Sequence, residues 1–225
     1  MIYGRNAVRE AVRGPRRVLR IWATSSVIAE FDAAELTTGE EIAYMCGSES
    51  HQGVCAETEG YHYRSAAEML AKPNPLIVAL DEVTDPQNLG AVARTAEVAG
   101  ATGVVIPERR AAEVTPAVCK ASAGAVEHLR IARVRNLADF LADAKAAGRW
   151  CYGAAADGAT PYGDVDFSGG VVLVLGAEGK GLRPRVAKAC DALVSLPVRG
   201  RIDSLNVSAA AAALLYGILR SREKT

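Results

Sequence analysis

The sequence predicts an α/β protein whose parallel sheet carries helices on both faces, preceded by a small N-terminal α/β domain. Continuous apolar runs at residues 76–80 and 171–175 are typical of strands that are buried on both sides. Segments with helical periodicity alternate with such runs along the chain, which favours parallel strands joined by helices. Half of the 225 residues are hydrophobic and only 5% are aromatic, so the composition suits a large aliphatic core.

Residues 1–63 are predicted to form the small first domain. Asn6 is expected to cap a helix that Gly14 and Pro15 end. The strand, helix and two short strands that follow are predicted over residues 18–23, 26–36, 41–46 and 53–56. Residues 64–75 are predicted to be a linker, because a short helical patch is followed by two closely spaced prolines that favour extended backbone.

Residues 76–225 are predicted to form the second domain, which holds the parallel sheet. Its strands are expected over residues 76–80, 103–106, 129–134, 150–155, 171–175 and 192–196. Its helices are expected over residues 89–99, 114–122, 137–147, 184–190 and 207–222. Asn136 can cap the third of these helices. In an open parallel sheet, ligands bind beyond the carboxyl ends of the strands, so the loops at that edge are the candidate site.

The charge distribution leaves two interpretations of the N-terminus open. The formal net charge is zero, which does not by itself indicate a nucleic-acid-binding protein. The first twenty residues nevertheless carry six arginines against the single acid Glu10. These arginines form either an RNA-binding face or a solvated helix face followed by a turn.

The cysteines and histidines do not predict a metal site. The five cysteines are scattered without a CxxC pair, and the three histidines do not cluster. Scattered cysteines without a signal peptide are typical of a reduced, cytoplasmic protein. The longest apolar stretches are too short for a membrane span.

The first candidate loop, residues 85–88, follows the strand over 76–80. Arg94 lies six residues after Asn88, which places the two side chains roughly 120° apart on a helix. They can approach each other only if Asn88 lies in the loop before the helix. Arg94 within an otherwise apolar helix needs an anionic partner. The alternative is an ordinary cap and a salt-bridged arginine.

The second candidate loop, residues 176–182, follows the strand over 171–175. Three glycines within six residues allow close approach of the backbone to a ligand. This is not a Walker phosphate loop, because Lys180 is followed by Gly181 instead of serine or threonine. The acidic Glu178 disfavours a phosphate and favours a ligand with hydroxyl groups or a cationic centre. The alternative is an ordinary strand-to-helix turn.

The third candidate loop, residues 196–206, precedes the last helix. Ser204 or Asn206 can cap that helix. Arg199 and Arg201 flank a glycine in this loop, an arrangement that suits contacts with RNA phosphates. The alternative is plain capping with a solvated loop.

Taken together and in this order, the three loops resemble the three motifs of the SpoU (TrmH-like) group of the SPOUT methyltransferase superfamily. Asn88 with Arg94 matches the first motif, and residues 176–181 and 204–208 match the second and third. The likeness extends over about residues 76–219. Residues 3–8 and 51–54 resemble the ends of the substrate-binding domain in the RlmB-like branch, which methylates guanosine in large-subunit rRNA. That branch usually has histidine in place of Arg5.

The resemblance implies S-adenosylmethionine-dependent 2′-O-methylation of a ribose in structured RNA, and its RlmB-like part favours a guanosine of large-subunit rRNA. It also implies a C-terminal trefoil knot and a homodimer in which Arg94 of one subunit lies near the cofactor of the other. We favour Arg94 as a phosphate clamp over Arg94 as a base, because the pKa of a guanidinium lies above ~12.

The resemblance also implies roles for individual residues. The implied catalytic residues are Asn88, Arg94, Glu178, Ser204 and Asn206. The implied cofactor-binding residues are Gly176, Glu178, Gly179, Leu196 and Leu205. RNA binding is expected from Arg5, Arg9, Arg13, Arg199 and Arg201.

Several other functions stay open at this point. A tRNA ribose methyltransferase or a resistance-type rRNA methyltransferase would carry the same three motifs. A non-catalytic RNA-binding module with this fold is a further alternative, although the polar positions of the motifs are all occupied. A nucleotide-binding dehydrogenase is disfavoured, because the early glycine fingerprint of that class is missing.

Overall fold

The structure is a computed structural model and describes residues 1–223. The first domain contains a four-stranded sheet in the order β1-β4-β2-β3. Its strands and helices are β1 (Ile2–Tyr3), α1 (Arg5–Arg13), β2 (Val18–Ala23), β3 (Glu35–Leu36), α2 (Gly39–Cys46) and β4 (Val54–Thr58). Strand β4 pairs antiparallel with both β1 and β2, while β3 runs parallel to β2 at the edge.

Two predicted elements of the first domain are wrong. A helix over 26–36 is replaced by a single 3-10 turn, Ile28–Glu30, followed by β3. Ala33 has a φ of 57°, which an α-helix cannot accommodate, so the chain reverses here. The strand expected over 41–46 is helix α2, because Thr38 and Glu41 form a reciprocal capping box that starts a helix.

The predicted cap of the first helix is also wrong. Helix α1 begins two residues earlier than expected, with Gly4 at the N-cap position and no capping side chain. Asn6 lies inside the first turn, where its side-chain oxygen accepts a hydrogen bond from Arg9 at 3.1 Å. The positive φ of Gly4, 97°, allows the chain to turn directly from β1 into the helix.

The second domain contains a seven-stranded sheet in the order β7-β6-β5-β10-β8-β11-β9, and every pair in it is parallel. Its strands are β5 (Leu76–Asp81), β6 (Gly103–Pro107), β7 (Ile131–Val134), β8 (Trp150–Ala154), β9 (Thr160–Pro161), β10 (Val171–Gly176) and β11 (Ala192–Ser195). Its helices are α3 (Ala66–Leu70), α4 (Pro86–Val98), α5 (Pro116–Ala121), α6 (Leu137–Ala146), α7 (Pro184–Ala189) and α8 (Val207–Arg222).

Both faces of this sheet are covered, as the apolar runs predict. Alternate residues of β5 and β10 pack on opposite faces: Val78 and Leu173 join one cluster, while Ile77 and Val172 join the other. The first cluster includes apolar residues of α4, α5 and α8, and the second includes those of α3, α6 and α7. The predicted α/β class, with a parallel sheet covered by helices on both faces, is therefore confirmed. Within residues 1–223 no helix is long and apolar enough to cross a membrane.

The start of α4 differs from the prediction in a way that matters for the site. Asp85 is the N-cap residue, and its side chain accepts a hydrogen bond from the Gln87 amide at 2.9 Å. Pro86 occupies the first helical position, where its lack of an amide proton costs nothing. Asn88 therefore lies in the first turn of α4 and is not a loop residue.

The segment over 64–75 contains α3, and the structure ties this helix to the second domain. Met69 and Leu70 are buried in the same cluster as Phe140 and Leu141 of α6. The guanidinium of Arg149 donates hydrogen bonds to the Leu70 carbonyl oxygen at 3.0 and 3.2 Å. The path from the first domain to β5 thus runs along the surface of the sheet-bearing domain.

Candidate active site

A cleft of about 810 Å³ lies at the carboxyl edge of the seven-stranded sheet. The ends of β8, β10 and β11 form its floor, and the glycine loop and the third loop form its walls. All five residues assigned to the cofactor by resemblance line this cleft, as does Ser204: Gly176, Glu178, Gly179, Leu196, Leu205 and Ser204. The residues of the second and third motifs therefore surround one cavity.

One polar side chain from each of the three motifs meets the others beside this cleft. The Oε1 atom of Glu178 accepts a hydrogen bond from Asn88 Nδ2 at 3.1 Å and another from Asn206 Nδ2. Asn206 Nδ2 also lies 3.0 Å from Asn88 Oδ1. The Val207 amide adds a longer contact of 3.4 Å to the same carboxylate oxygen. Residues that are 28 to 118 positions apart in the chain thus form one network, which we call the three-loop network.

The hydrogen bonds of Asn206 show which residue caps the last helix. Its Oδ1 atom accepts hydrogen bonds from the Ser208 amide at 2.8 Å and from the Ser208 hydroxyl at 2.6 Å. Asn206, and not Ser204, is therefore the N-cap of α8. Because the same side chain caps α8 and donates to Glu178, the start of the helix is held against the glycine loop.

The glycine loop is folded tightly back on itself. The Gly181 amide donates to the Ala177 carbonyl oxygen at 2.9 Å. A Cβ atom added to Gly176 would lie only 2.2 Å from the Gly181 carbonyl carbon, so no other residue fits without moving the loop. Gly179 and Gly181 have φ values of 72° and 63°, a region that favours glycine. This fold leaves Glu178 at the tip of the loop, facing Asn88.

An ion pair between a buried carboxylate and a partly exposed arginine, which sequence reasoning missed, fixes the far end of the glycine loop. Asp81, at the end of β5, is fully buried. Its carboxylate accepts hydrogen bonds from the Arg183 amide at 2.8 Å and from Arg183 Nε at 2.7 Å. The hydrogen bond to Asp81 raises the pKa of Arg183 above its ordinary value. The sequence could have indicated this ion pair, because Asp81 is a charged residue at the end of an otherwise apolar strand.

Arg94 stands apart from the three-loop network. It is exposed on α4 and makes no hydrogen bond or ion pair with any of residues 1–223. Asn88 contacts Glu178 and Asn206 instead of Arg94. The two side chains do not approach each other within a single chain, because Asn88 lies inside α4 and not in the loop before it, so both residues are on one helix and point in different directions.

The arginines predicted to bind RNA divide into two groups. Arg5 and Arg9 both pair with Glu30, and Arg13 pairs with Glu10 at 3.0 Å. The arginines of α1 are thus partly neutralised by the first domain itself.

The second group is unpaired. Arg199 and Arg201 are exposed, and neither has a hydrogen-bond or ion-pair partner among residues 1–223. Arg109 and Arg135 are likewise exposed and have no partner among residues 1–223. They follow β6 and β7 at the same edge of the sheet, so their place after two predicted strands could have identified them from the sequence.

Within residues 1–223, no group of histidine, cysteine, aspartate or glutamate side chains is arranged to hold a metal ion.

Two family models match this chain. The SpoU rRNA Methylase family matches residues 75–216, and the family described as RNA 2′-O ribose methyltransferase substrate binding matches residues 1–64. The first match covers more than half of the chain and includes all three loops.

Similar proteins occur in several bacteria. An uncharacterized tRNA/rRNA methyltransferase of Synechocystis is 38% identical over 99% of this chain, which spans 62% of that protein. The putative TrmH family tRNA/rRNA methyltransferase YacO of Bacillus subtilis is 36% identical, with coverage of 98% and 95%. The 23S rRNA (guanosine-2′-O-)-methyltransferase RlmB of Pseudomonas putida is 35% identical, with coverage of 99% and 96%.

Solved structures show the same fold. The SpoU methyltransferase AviRb from Streptomyces viridochromogenes, in complex with AdoMet, is 25% identical with a TM-score of 0.83, covering 99% of this chain and 89% of its own. An AdoMet-bound rRNA methyltransferase from Sinorhizobium meliloti is 28% identical with a TM-score of 0.81, with coverage of 97% and 85%. Together with the convergence of the three motifs on one cleft, these matches show that the chain is an RNA methyltransferase and belongs to the SpoU rRNA Methylase family.

Proposed function

We propose that the protein transfers a methyl group from S-adenosylmethionine to the ribose 2′-hydroxyl of a guanosine in 23S rRNA. The observation that carries this proposal is the three-loop network, in which Asn88, Glu178 and Asn206 meet beside the cleft. The likeness to RlmB of Pseudomonas putida over nearly the whole chain supports guanosine and 23S rRNA as the target.

The cleft fits S-adenosylmethionine in size and chemistry. Its volume of about 810 Å³ lies within the range of small-molecule sites, about 300–1,000 Å³. Leu196 and Leu205 supply apolar walls for a purine ring, and the glycine loop brings backbone polar groups close to the ligand. The carboxylate of Glu178 would repel a phosphate but tolerates a sulfonium. When bound, this cofactor supplies an electrophilic methyl carbon.

The protein's own residues position the reacting groups and stabilise the negative charge that develops on the ribose oxygen. The ribose oxygen must approach the methyl carbon in line and lose its proton, and correct placement contributes much of the rate. We assign Arg94 to the phosphate next to the target ribose, where a fixed cation lowers the cost of developing negative charge on the oxygen. The three-loop network holds the cofactor loops in register, and Ser204 lies at the cleft to contact the ribose.

A homodimer would complete this site. Arg94 and Val98 are four residues apart and share one face of α4, and Val98 is 63% exposed. Tyr216, on the neighbouring helix α8, is 51% exposed. An apolar surface beside an unpaired arginine suits contact with a second copy, whose cleft Arg94 would then face. We expect light scattering to give twice the chain mass of 23.6 kDa.

The path of the C-terminal third supports the trefoil knot implied by the family resemblance. After β10 the chain passes through the glycine loop, α7 and β11. It then returns past Glu178 before α8 packs against α4. We infer that this return is threaded. An experimental structure whose backbone passes around the glycine loop without threading would contradict the inference.

The RNA contacts are assigned to both domains. The glutamate partners of Arg5, Arg9 and Arg13 compete with phosphates for these arginines, whereas Arg199 and Arg201 have no such competitor among residues 1–223. We therefore expect the arginines of the third loop to contribute more to RNA affinity than those of α1. Because ribosomal RNA is the proposed substrate, we also propose a cytoplasmic location.

Replacing Gly176 by alanine should weaken cofactor binding without unfolding the protein. The added methyl group would lie 2.2 Å from the Gly181 carbonyl carbon, so the glycine loop must open. Overpacking of this kind costs about 1–3 kcal/mol, which corresponds to roughly 10- to 100-fold weaker binding if the loss falls on the cofactor site. Calorimetric titration with S-adenosylmethionine measures this. Gly163→Ala is the matched control, because its Cβ atom would enter open space. Equal affinity of Gly176→Ala and wild type would remove the glycine loop from the cofactor site.

Transfer of a tritiated methyl group to separated RNA fractions tests the proposed substrate. Unmodified 23S rRNA should accept the label, whereas a tRNA fraction should not. Labelling of tRNA alone would assign the protein to the tRNA methyltransferases, which the description of the Bacillus subtilis relative also allows. Cofactor binding without transfer to either fraction would favour a non-catalytic RNA-binding module.

A further inference from the structure

The two domains pack closely against each other, so the chain segment that joins them is not their only connection. Arg16, in the turn after α1, reaches into the second domain, where its Nε atom donates to Glu127 Oε2 at 3.0 Å and its terminal nitrogen pairs with the other carboxylate oxygen. The side chains of Arg16 and Glu127 are only 8% and 1% exposed. The same terminal nitrogen lies 3.6 Å from the Cys119 sulfur. The ion pair is therefore largely shielded from water.

Close backbone packing surrounds this ion pair. Gly124 has a φ of 88°, and a Cβ atom added to it would lie 2.5 Å from the Glu10 Cβ atom on α1. Tyr61, at the end of the first domain, donates its hydroxyl proton to the Val126 carbonyl oxygen at 3.1 Å. Glu10 lies 2.9 Å from His128 Nε2, which adds a polar contact at the rim. The first domain therefore contacts residues 116–128 through α1, the Arg16 turn and Tyr61.

The interface continues into the helix that carries the first motif. Helix α5 packs against α4, and a Cβ atom added to Gly90 would lie 2.4 Å from the Ala121 Cβ atom. Gly90 is two residues from Asn88 and four residues from Arg94. A displacement of the first domain would thus be transmitted through residues 116–128 to α4, because packed interiors deform little.

We propose that Arg16 and Glu127 are positioning residues that determine which nucleotide is methylated. They hold the first domain, to which we assign RNA binding, at a fixed distance and angle from the cleft. A buried ion pair is a poor source of net stability, because desolvation offsets most of the attraction, but it strongly disfavours alternative arrangements that leave either charge unpaired. This inference rests on the proposed function, since it concerns the choice of target within the RNA.

The test compares where methyl groups are placed, which a purely structural role would not alter. The double variant Arg16→Met with Glu127→Leu removes both charges and keeps the site apolar and filled, so folding should be retained. On the RNA that the wild type methylates, 2′-O-methyl groups are mapped nucleotide by nucleotide. We expect the ratio of methylation at the main nucleotide to that at its neighbours to fall about tenfold, with cofactor affinity unchanged.

Two further variants make the result unambiguous. Arg20→Met is the matched control, because Arg20 pairs with the exposed Glu35 inside the first domain and does not reach the second. Arg16→Lys keeps the charge but loses the paired hydrogen bonds, so it should recover only part of the site selectivity. A double variant that melts like the wild type and methylates the same single nucleotide would overturn the positioning role. Absence of any RNA methylation by the wild type would instead overturn the proposed function.

Discussion

Replacing Glu178 by glutamine is expected to lower kcat/KM for methyl transfer by about 100-fold. Glu178 Oε1 is the acceptor shared by Asn88, Asn206 and the Val207 amide. Glutamine has the same shape, but it lacks the charge and presents a donor where other donors already point. The three loops should then shift apart, and a displacement of about 1 Å near the reacting atoms commonly costs about 100-fold in rate.

Steady-state transfer of tritiated methyl groups to RNA measures this effect, with thermal unfolding recorded for each variant. Glu68→Gln is a suitable control, because Glu68 is exposed on α3, remote from the cleft. The control should behave like the wild type in both measurements. If Glu178→Gln also turned over at the wild-type rate, the three-loop network would be a structural feature without a part in methyl transfer.

Arg94→Ala is expected to lower kcat by about 100- to 1,000-fold while leaving the affinity for S-adenosylmethionine unchanged. Arg94 has no partner among residues 1–223, so its loss leaves no buried charge and should not destabilise the fold. The loss in rate reflects the fixed cation that opposes negative charge on the ribose oxygen. Arg185→Ala is the matched control, since Arg185 is exposed on α7 and, within the described residues 1–223, pairs only with Asp139.

Mixing two inactive variants shows whether Arg94 acts across a dimer interface. In a mixed dimer of Arg94→Ala and Glu178→Gln subunits, one site combines Arg94 from one chain with Glu178 from the other. Half of randomly assorted dimers are mixed and each has one intact site of two, so activity should recover to about a quarter of wild type. No recovery, in a mixture shown to exchange subunits, would place Arg94 in the site of its own chain.

The sheet-bearing domain was largely predictable because its signals are local. Runs such as residues 76–80 and 171–175 can be buried on both faces only in a covered parallel sheet, and the structure has β5 and β10 there as neighbours. The capping side chain of Asn136 likewise marks the start of α6. The two-residue strand β9 was missed, because two residues carry no periodic pattern.

The first domain was harder to predict because weak local signals compete there. Residues 42–46 form a short, largely apolar run like that of a strand, yet the capping box of Thr38 and Glu41 starts a helix here. The arginines of α1 suggest a basic face in the local sequence. Glu30, which neutralises two of them, lies more than twenty residues away in the sequence, so the local pattern does not reveal it. Nothing in the local sequence around Arg16 indicates that it is buried against Glu127, which is 111 residues distant.

The site itself was predictable as a set of residues but not as an arrangement. The motifs placed Asn88, Glu178 and Asn206 at one edge of the sheet. That they form a single hydrogen-bonded network depends on contacts across up to 118 residues, which no spacing rule supplies. The separation of Arg94 from Asn88 follows from Pro86, which starts the helix early enough to enclose Asn88.

The most direct test of the central claim identifies the atom that receives the methyl group. Purified protein is incubated with unmodified 23S rRNA and S-adenosylmethionine, and the RNA is digested to nucleosides for mass spectrometry. We expect 2′-O-methylguanosine in the wild-type reaction and its loss with Glu178→Gln. A base-methylated nucleoside, or 2′-O-methylguanosine formed equally by the Glu178→Gln protein, would contradict the claim that the three loops form a ribose methylation site.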